Sequence, residues 1–251
     1  MEHNIYFLPR RANFRIITAE MTVFVLEVLS MSNQMRFNSQ LDDKALWGTT
    51  TVAMECKDGV VLASDTRVVG GYFFVAHKHG KKVHKIDDHI AMTISGGVAD
   101  AQAMVDFLKV QARLHWMNRG YPLLVRSSAS LVSNVLVNNR MSPLQVQLIL
   151  AGLDRYGPSV YQIDPFGGVT RERFVSTGSG SPVAIGYLES AIKGTLTVDK
   201  AIPLSIEAIN VAMKRNTATG NDFDVSTITK KGYVEMSAEA KEAYLASTSD
   251  K

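Results

Sequence analysis

The 251-residue sequence predicts an α+β domain built as a four-layer αββα sandwich, in which two antiparallel sheets are flanked by helices. The first observation behind this prediction is the order of its segments: strands, two helices, strands, two helices, strands. Strand blocks separated by helix pairs indicate two stacked sheets, each with helices on its outer face. The second observation is that no repeat, low-complexity tract or linker divides residues 49–245, so this stretch is expected to form one domain.

The first strand block opens with a predicted hairpin. Residues rich in Thr and Val flank the turn Lys57-Asp58-Gly59, where we expect the glycine to supply a positive φ. A second strand pair is expected further on, followed by a short apolar strand. In order, the predicted strands are Thr49–Glu55, Val60–Ser64, Tyr72–Ala76, Lys82–His84 and Ile90–Ser95.

Two helices are predicted next, because apolar residues recur there at three- and four-residue spacing. The stripe of the first consists of Ala101, Met104, Val105, Leu108, Ala112 and Trp116. Gly120-Tyr121-Pro122 should end this helix, and the second spans Leu123–Asn139. The later elements are a hairpin of Val146–Leu153 and Ser159–Asp164, one strand from Gly167 to about Thr177, helices Val183–Ile192 and Val198–Lys214, strands Phe223–Thr229 and Tyr233–Glu235, and a polar tail.

Composition excludes several classes of protein. With 46% apolar and 20% charged residues the chain is typical of a globular protein, and a net charge of +3 gives no reason to expect a nucleic-acid partner. A single cysteine, Cys56, excludes an internal disulfide and a cysteine metal cluster, and suits a reducing compartment. Charged residues interrupt the apolar stretch 14–31, which predicts neither a membrane span nor a secretory signal.

We interpret residues 1–48 as a removable pro-segment and residues 49–251 as the single domain. The segment carries balanced charges, and everything from Thr49 onward is a complete domain pattern without it. A translation start at Met31 or Met35 stays open as an alternative.

The most informative motif is Gly48-Thr49-Thr50-Thr51-Val52. A threonine hydroxyl is a weak nucleophile, but cleavage just before Thr49 would free an α-amine that can act as its base. Gly48 leaves the carbonyl of that peptide bond unshielded. Alone, these residues also fit the start of a Thr-rich strand, so the interpretation depends on downstream motifs.

Five motifs together carry a resemblance to a known family. They are Thr49-Thr50-Thr51-Val52, Ser64-Asp65-Thr66-Arg67, Gly80-Lys81-Lys82, Ser95-Gly96-Gly97-Val98-Ala99-Asp100-Ala101 and Thr177-Gly178-Ser179-Gly180-Ser181-Pro182. In this order and spacing they make the chain, from Thr49 to about residue 236, resemble a β subunit of the archaeal 20S proteasome, an N-terminal-nucleophile hydrolase. The resemblance implies a threonine endopeptidase that cleaves its own Gly48–Thr49 bond and degrades unfolded proteins. No metal or organic cofactor is implied.

The resemblance also implies site residues. The catalytic positions are Thr49, Asp65, Lys82, Gly96, Ser179, Asn216 and Thr219. An α-amine titrates at about 7.7–8.0, which suits a base at neutral pH, and a lysine ammonium beside it would lower its pKa. That lysine is Lys82 by resemblance, with Lys81 as the neighbouring alternative and Asp65 as its acidic partner. Gly96 would donate its N–H to the oxyanion, and Ser179 would bond the amine of the nucleophile.

One segment departs from the family pattern. Where the family has Arg-Asp-Ser-Ala-Ser-Gly, this chain has Arg215-Asn216-Thr217-Ala218-Thr219-Gly220. Thr219 keeps a hydroxyl, but Asn216 lacks the charge of the family's aspartate. This departure favours an alternative in which the chain is a non-catalytic or weakly active structural subunit of a mixed ring. A bacterial HslV-type protease is a third interpretation, which the chain length and the Arg215–Gly220 segment oppose.

The resemblance further predicts a substrate pocket and partners. Residues around the side chain before the cut bond would be Val68, Gly80, Ile94, Val98 and Gln102, whose mostly apolar character favours hydrophobic substrates. The implied partners are other β subunits in a seven-membered ring, an α-subunit ring, indirectly a regulatory ATPase, and unfolded proteins. No nucleic acid or membrane is implied, and the expected compartment is the cytoplasm.

Overall fold

The computed structural model describes residues 48–70 and 74–248, which form twelve strands and five helices. In chain order the strands are β1 (Thr51–Glu55), β2 (Gly59–Asp65), β3 (Val68–Gly70), β4 (Phe74–His77), β5 (Val83–Asp87), β6 (Ile90–Gly96), β7 (Val146–Asp154), β8 (Gly157–Ile163), β9 (Val169–Glu172), β10 (Phe174–Thr177), β11 (Phe223–Thr229) and β12 (Gly232–Glu235). The helices are α1 (Val98–Arg119), α2 (Val125–Asn138), α3 (Ser181–Ala191), α4 (Val198–Arg215) and α5 (Ala238–Thr248). Apart from Gly48, the predicted pro-segment lies outside the described residues.

Ten of these strands form two antiparallel five-stranded sheets. The first sheet has the order β10-β1-β2-β11-β12, and the second has the order β5-β6-β7-β8-β9. The helices α3 and α4 pack on the first sheet, whereas α1 and α2 pack on the second. The predicted four-layer αββα sandwich is therefore confirmed.

The two sheets face each other across an apolar core. Its members alternate with outward-facing residues along their strands, as the two-residue period of a strand requires. The buried residues of this inter-sheet core are Ala53, Val60, Leu62, Val83, Ala91, Ile149, Ala151, Val160, Val175 and Ile228.

The apolar stripe of α1 is buried along most of the helix but not in its last turn. Five of the six predicted stripe residues are buried against the second sheet, from Ala101 to Ala112. The sixth, Trp116, is 47% exposed, and the Arg113 guanidinium lies over its ring at 5.1 Å. The prediction that the stripe packs in the core was therefore wrong at Trp116, which lies in the last turn of α1, after the last buried residue of the helix. Gly120 ends the helix in the left-handed conformation.

The second predicted strand pair was wrong in its partners. The strand β4 pairs with β3 in a separate hairpin, and β5 pairs with β6 in the second sheet. Burial explains the choice, since β5 places Val83 and Ile86 in the interior while all four residues of β4 are exposed. The exposure of β4 could not be predicted from its composition, because β4 is Phe74-Val75-Ala76-His77 and three of these four residues are apolar.

Two later predictions also need correction. The strand expected from Gly167 to Thr177 is two strands in different sheets, because β9 pairs with β8 and β10 pairs with β1. The expected polar tail contains the helix α5, whose N-terminus Ser237 caps by accepting the Ala240 N–H at 3.2 Å.

The first hairpin forms as predicted, but its glycine has a different role. Gly59 has no positive φ; instead, a Cβ there would lie 2.1 Å from the Ile228 carbonyl oxygen. Close contact between β2 and β11 therefore requires the glycine.

Candidate active site

Thr49 lies two residues before the start of β1 and is 5% exposed. Its Oγ1 donates a hydrogen bond to the Gly48 carbonyl oxygen at 2.5 Å, and its backbone N–H donates to Ser179 Oγ at 3.4 Å. The hydroxyl thus lies against the carbonyl group of the peptide bond that precedes it. The nitrogen of the same bond faces a second hydroxyl.

Gly48 is enclosed by the loop that follows α4. A Cβ at this position would lie 2.2 Å from the Ala218 Cβ and 2.5 Å from the Ala218 carbonyl oxygen. Real Cβ atoms do not approach that closely, so any other residue at position 48 would displace the bond before Thr49.

The predicted pair of Asp65 and Lys82 is buried beside this bond. Lys82 Nζ lies 2.7 Å from Asp65 Oδ1 and 2.6 Å from the Arg67 carbonyl oxygen, and the two side chains are 5% and 0% exposed. Burial lowers the pKa of Lys82, and the charge of Arg67 lowers it further, whereas the Asp65 carboxylate raises it. The alternative, Lys81, points elsewhere: its Nζ contacts Glu235 at 2.6 Å and its side chain is 53% exposed.

The Asp65 carboxylate is saturated with donors. Besides Lys82, it accepts the backbone N–H groups of Thr50 at 2.7 Å, Arg67 at 3.1 Å and Gly220 at 3.0 Å. Hydrogen bonds from this many donors hold the buried carboxylate in one position. Asp65 therefore fixes two backbone segments of the site, the one at Thr50 and the one at Gly220.

Asn216 organises the other side of Thr49. Its Oδ1 accepts three hydrogen bonds, from Ser179 Oγ at 3.1 Å, Thr219 Oγ1 at 2.9 Å and the Ala218 N–H at 3.1 Å. Because Ser179 gives its proton to Asn216, its lone pairs are free to accept the Thr49 N–H. The Asn216 amide thus holds both Ser179 and Thr219 by hydrogen bonds, without the negative charge that an aspartate would bring.

Thr50 extends this network. Its Oγ1 lies 2.7 Å from Thr219 Oγ1, and since Thr219 donates to Asn216, Thr50 is the donor in this pair. Thr50 is fully buried. The residue after the candidate nucleophile consequently contacts both halves of the site, Asp65 through its backbone and Thr219 through its side chain.

Arg67 is a contributor that the sequence reasoning missed. Its guanidinium donates to the Thr217 carbonyl oxygen at 2.6 Å and to Asn221 Oδ1 at 2.9 Å, holding the loop that contains Asn216. Arg67 lies within one of the five motifs, but no local pattern could show that its partners are some 150 residues away.

Gly96 ends β6 at the edge of the site with φ of +104°. A Cβ there would lie 2.1 Å from the Gln145 carbonyl oxygen, so both conformation and space require glycine. The N–H of the next residue, Gly97, is already donated to that same oxygen at 2.6 Å. Of the two glycines, Gly96 is the one that lines the cavity beside Thr49.

A cavity of about 460 Å³ opens beside Thr49. All five residues predicted for the substrate pocket line it: Val68, Gly80, Ile94, Val98 and Gln102. Ala76 and His77 line it as well. They were missed because the β3–β4 pairing, which brings them there, was not predicted.

Within the described residues, no group of three or more His, Cys, Asp or Glu side chains is arranged to hold a metal ion. In the same part of the chain, none of the helices has the length and apolar character needed to cross a membrane.

Comparisons with known proteins agree with the motif resemblance. The profile of a family described as "Proteasome subunit" matches residues 46–228. A "Proteasome subunit beta" of Ferroglobus placidus is 46% identical over 206 residues, which are 82% of this chain and 98% of the relative. The protein of that name from Methanothermobacter thermautotrophicus is 44% identical over 79% of this chain and 94% of its own. A "Proteasome subunit beta 2" of Cenarchaeum symbiosum is 40% identical over 83% and 99%.

Proposed function

The chain belongs to the proteasome subunit family, and from this premise we propose that it is a threonine endopeptidase subunit with Thr49 as nucleophile. It is similar to archaeal β subunits over most of its length, and it is a subunit of the proteasome core that assembles with other proteasome subunits. The finer assignment, that this particular chain is catalytic, is our proposal.

One observation carries it: Thr49 Oγ1 is in contact with the Gly48 carbonyl at 2.5 Å while its nitrogen faces Ser179, which Asn216 holds. A threonine that only began a strand would need neither contact. The buried Asp65–Lys82 pair beside the same cavity supports the proposal, because buried charges are retained where a site uses them.

The first reaction is removal of residues 1–48. Thr49 Oγ1 attacks the Gly48 carbonyl carbon and forms a C–O bond. The C–N bond then breaks, and the Thr49 nitrogen keeps the proton that the hydroxyl loses. Water hydrolyses the resulting ester, which leaves a carboxylate on Gly48 and a free amine on Thr49. Until this happens the nitrogen is an amide and cannot act as a base.

Substrate hydrolysis uses the same groups. The free amine takes the Thr49 hydroxyl proton as the oxygen attacks a substrate carbonyl, and the Lys82 ammonium lowers the amine's pKa so that it is unprotonated near neutral pH. The Gly96 N–H donates to the oxyanion. The Thr49 ammonium then gives its proton to the nitrogen of the substrate bond, the C–N bond breaks and the amine product leaves. The acyl ester that remains on Thr49 is hydrolysed by water, which restores the hydroxyl.

The cavity supports a preference for hydrophobic side chains before the cut bond. Its walls include Val68, Ile94 and Val98. We propose unfolded proteins as substrates, and a seven-membered β ring, an α ring and indirectly an ATPase as partners, in the cytoplasm. Removal of the pro-segment only after assembly would keep the protease inactive as a zymogen.

The alternative is a structural or weakly active subunit, which Asn216 favours by its missing charge. The contacts of Asn216 weigh against this alternative, because all three donors around it are satisfied. The missing negative charge at position 216 is then what still favours a structural subunit.

The test is the intact mass of the subunit after assembly with its α partner, together with peptide hydrolysis. We expect the wild type to lose residues 1–48, and Thr49→Ala to retain them and to lack activity in rings that contain only the variant. Thr170→Ala, on the exposed strand β9, is the matched control and should behave as wild type. An unprocessed, inactive wild type would establish the structural alternative, and activity in Thr49→Ala would exclude Thr49 as nucleophile.

A further inference from the structure

Four buried hydroxyl groups form a continuous chain between the two sheets, directly beneath the candidate site. Thr93 Oγ1 donates to Thr51 Oγ1 at 3.0 Å, Thr51 Oγ1 lies 2.7 Å from Thr177 Oγ1, and Ser95 Oγ lies 3.2 Å from Thr177 Oγ1. Their exposed fractions are all 4% or less. We call these residues, Thr93, Thr51, Thr177 and Ser95, the hydroxyl chain.

The hydroxyl chain crosses from one sheet to the other twice. Thr51 and Thr177 face each other across β1 and β10 of the first sheet, whereas Thr93 and Ser95 lie two residues apart on β6 of the second. Residues two apart on a strand point to the same face, so both β6 hydroxyls are directed at the first sheet. Ser95 Oγ also donates to the Gln147 carbonyl oxygen at 2.8 Å, which anchors the end of the chain.

Each of three members is next to a different part of the site. Thr51 lies two residues after Thr49, Thr177 lies two residues before Ser179, and Ser95 immediately precedes Gly96. The nucleophile and Ser179 therefore come from the first sheet, but Gly96 comes from the second. The distance between the attacking oxygen and the oxyanion donor is set by how the sheets sit against each other.

Away from the site, the inter-sheet core is apolar. Apolar contact is non-directional, and it fixes the separation of two sheets better than their relative sliding. Hydrogen bonds fix direction as well, and a buried hydroxyl that loses its partner is costly. Gln147 adds a second tether, since its Oε1 accepts the Gly178 N–H at 3.2 Å.

We propose that Thr51 and Ser95 are positioning residues, which act through the hydroxyl chain to hold the Gly96 N–H at the correct distance from Thr49 Oγ1. The inference rests on the proposed catalytic function. Misplacement of reacting groups by about 1 Å can reduce a rate by about 100-fold, so a small slip between the sheets would be measurable.

The experiment compares Thr51→Val, Ser95→Ala and Thr51→Ser in assembled particles. Thr51→Val keeps the side-chain shape but removes the hydroxyl, and we expect kcat to fall at least about 10-fold with KM changed less than about twofold. Affinity for a peptide boronate, whose tetrahedral adduct occupies the oxyanion position, should fall by a similar factor. Thr51→Ser keeps the hydroxyl and should restore most of the activity.

Two controls separate positioning from mere stability. Ser176→Ala removes a buried hydroxyl adjacent to Thr177 that has no hydrogen-bond partner in the described part of the chain, and should leave kcat unchanged. Ile149→Val removes one methylene from the inter-sheet core, and should lower the melting temperature with kcat unchanged.

The outcomes are distinct. An inactive wild-type particle would refute the proposed function itself. An active wild type whose kcat and boronate affinity survive both Thr51→Val and Ser95→Ala would refute the positioning role alone. If Thr51→Val does not assemble, Ser95→Ala and Thr51→Ser decide the question by the same readouts.

Discussion

Restoring a carboxylate at position 216 should raise the rate of hydrolysis and shift its pH profile. In Asn216→Asp the new charge replaces Oδ1, which is joined to the Thr49 nitrogen by bonds of 3.1 and 3.4 Å through Ser179. The two atoms are therefore at most about 6.5 Å apart, the length of these bonds laid end to end. At that distance a unit charge pair interacts by about 2.5 kcal/mol at an effective dielectric constant near 20, and by about 0.6 kcal/mol in water.

Asn216 is half-buried, so the effect should lie between these limits. During attack the Thr49 amine becomes an ammonium, which the carboxylate stabilises, and we expect kcat to rise about 3- to 70-fold. The same interaction favours the protonated free amine, so its pKa should rise by about 0.5 to 2 units. The acidic limb of the kcat/KM profile should move to higher pH by that amount while the plateau of kcat increases.

The assay is peptide hydrolysis by assembled, processed particles between about pH 5 and 9, the range in which the α-amine titrates. Asn134→Asp, on the exposed face of α2, adds the same charge away from the site and should leave both quantities unchanged. If Asn216→Asp left the plateau and the acidic limb where they are in the wild type, the missing charge would have no bearing on catalysis.

Further predictions concern processing, stability and reactivity. Gly48→Ala should slow removal of the pro-segment at least about 10-fold, because its Cβ meets Ala218, and Ala218→Gly in the same chain should partly reverse the effect, as intact mass over time would show. Asp65→Asn leaves the Lys82 charge without its buried counter-ion and should destabilise the fold by about 3–5 kcal/mol in denaturant unfolding; a loss below about 1 kcal/mol would mean that the pair is not buried in solution. Burial, together with Asp58 and Glu55, raises the pKa of the Cys56 thiol to about 12, so at pH 8 only about one thiol in 10⁴ is ionised and alkylation should be far slower than in denatured protein. Burial also raises the pKa of the Asp224 carboxyl group, so the folded state binds the carboxyl proton more tightly than the unfolded state does. The protein therefore loses stability as the pH rises through the range in which Asp224 ionises. Asp224→Asn should be more stable than wild type at pH 7, and the difference should vanish below about pH 4.

Local chemistry made much of the fold predictable. Strand blocks, the apolar stripe of α1 and the stop at Gly120 depend on neighbours in sequence, and the layer order follows from them. Pairing partners do not depend on sequence neighbours alone. A strand does form at Phe74–His77, but it pairs with β3 instead of the predicted Lys82–His84, and the residues after Gly167 divide between sheets at Arg173. The helix α5 could have been predicted from its Ser237 cap and the Ala, Glu and Lys residues that follow.

The candidate site likewise has features that local sequence motifs predict and features that depend on contacts between distant residues. Three of the catalytic residues that the resemblance named, Thr49, Lys82 and Gly96, line one cavity together with the five named pocket residues. Hydrogen bonds connect the other four, Asp65, Ser179, Asn216 and Thr219, to the residues around Thr49, and the roles assigned to all seven remain predictions. The resemblance already selects Lys82 over Lys81, and the geometry adds that Lys82 contacts Asp65 while Lys81 contacts Glu235. The geometry also adds Arg67 and the hydroxyl chain, whose partners are 42 to 154 residues distant and leave no local pattern.

The contacts of Thr49 have one more consequence. In the chain with its Gly48–Thr49 bond intact, Asp65, Lys82 and Ser179 already occupy their places and Asn216 already holds Ser179. If Thr49 acts as we propose, the uncleaved chain would be held inactive by the electronic structure of one nitrogen, whose lone pair is delocalised into a carbonyl. Activation then requires no movement of a loop or domain, so warming or loosening the fold would not release activity early. Under the proposed function the safeguard would be a covalent bond that opens once, irreversibly, in each subunit.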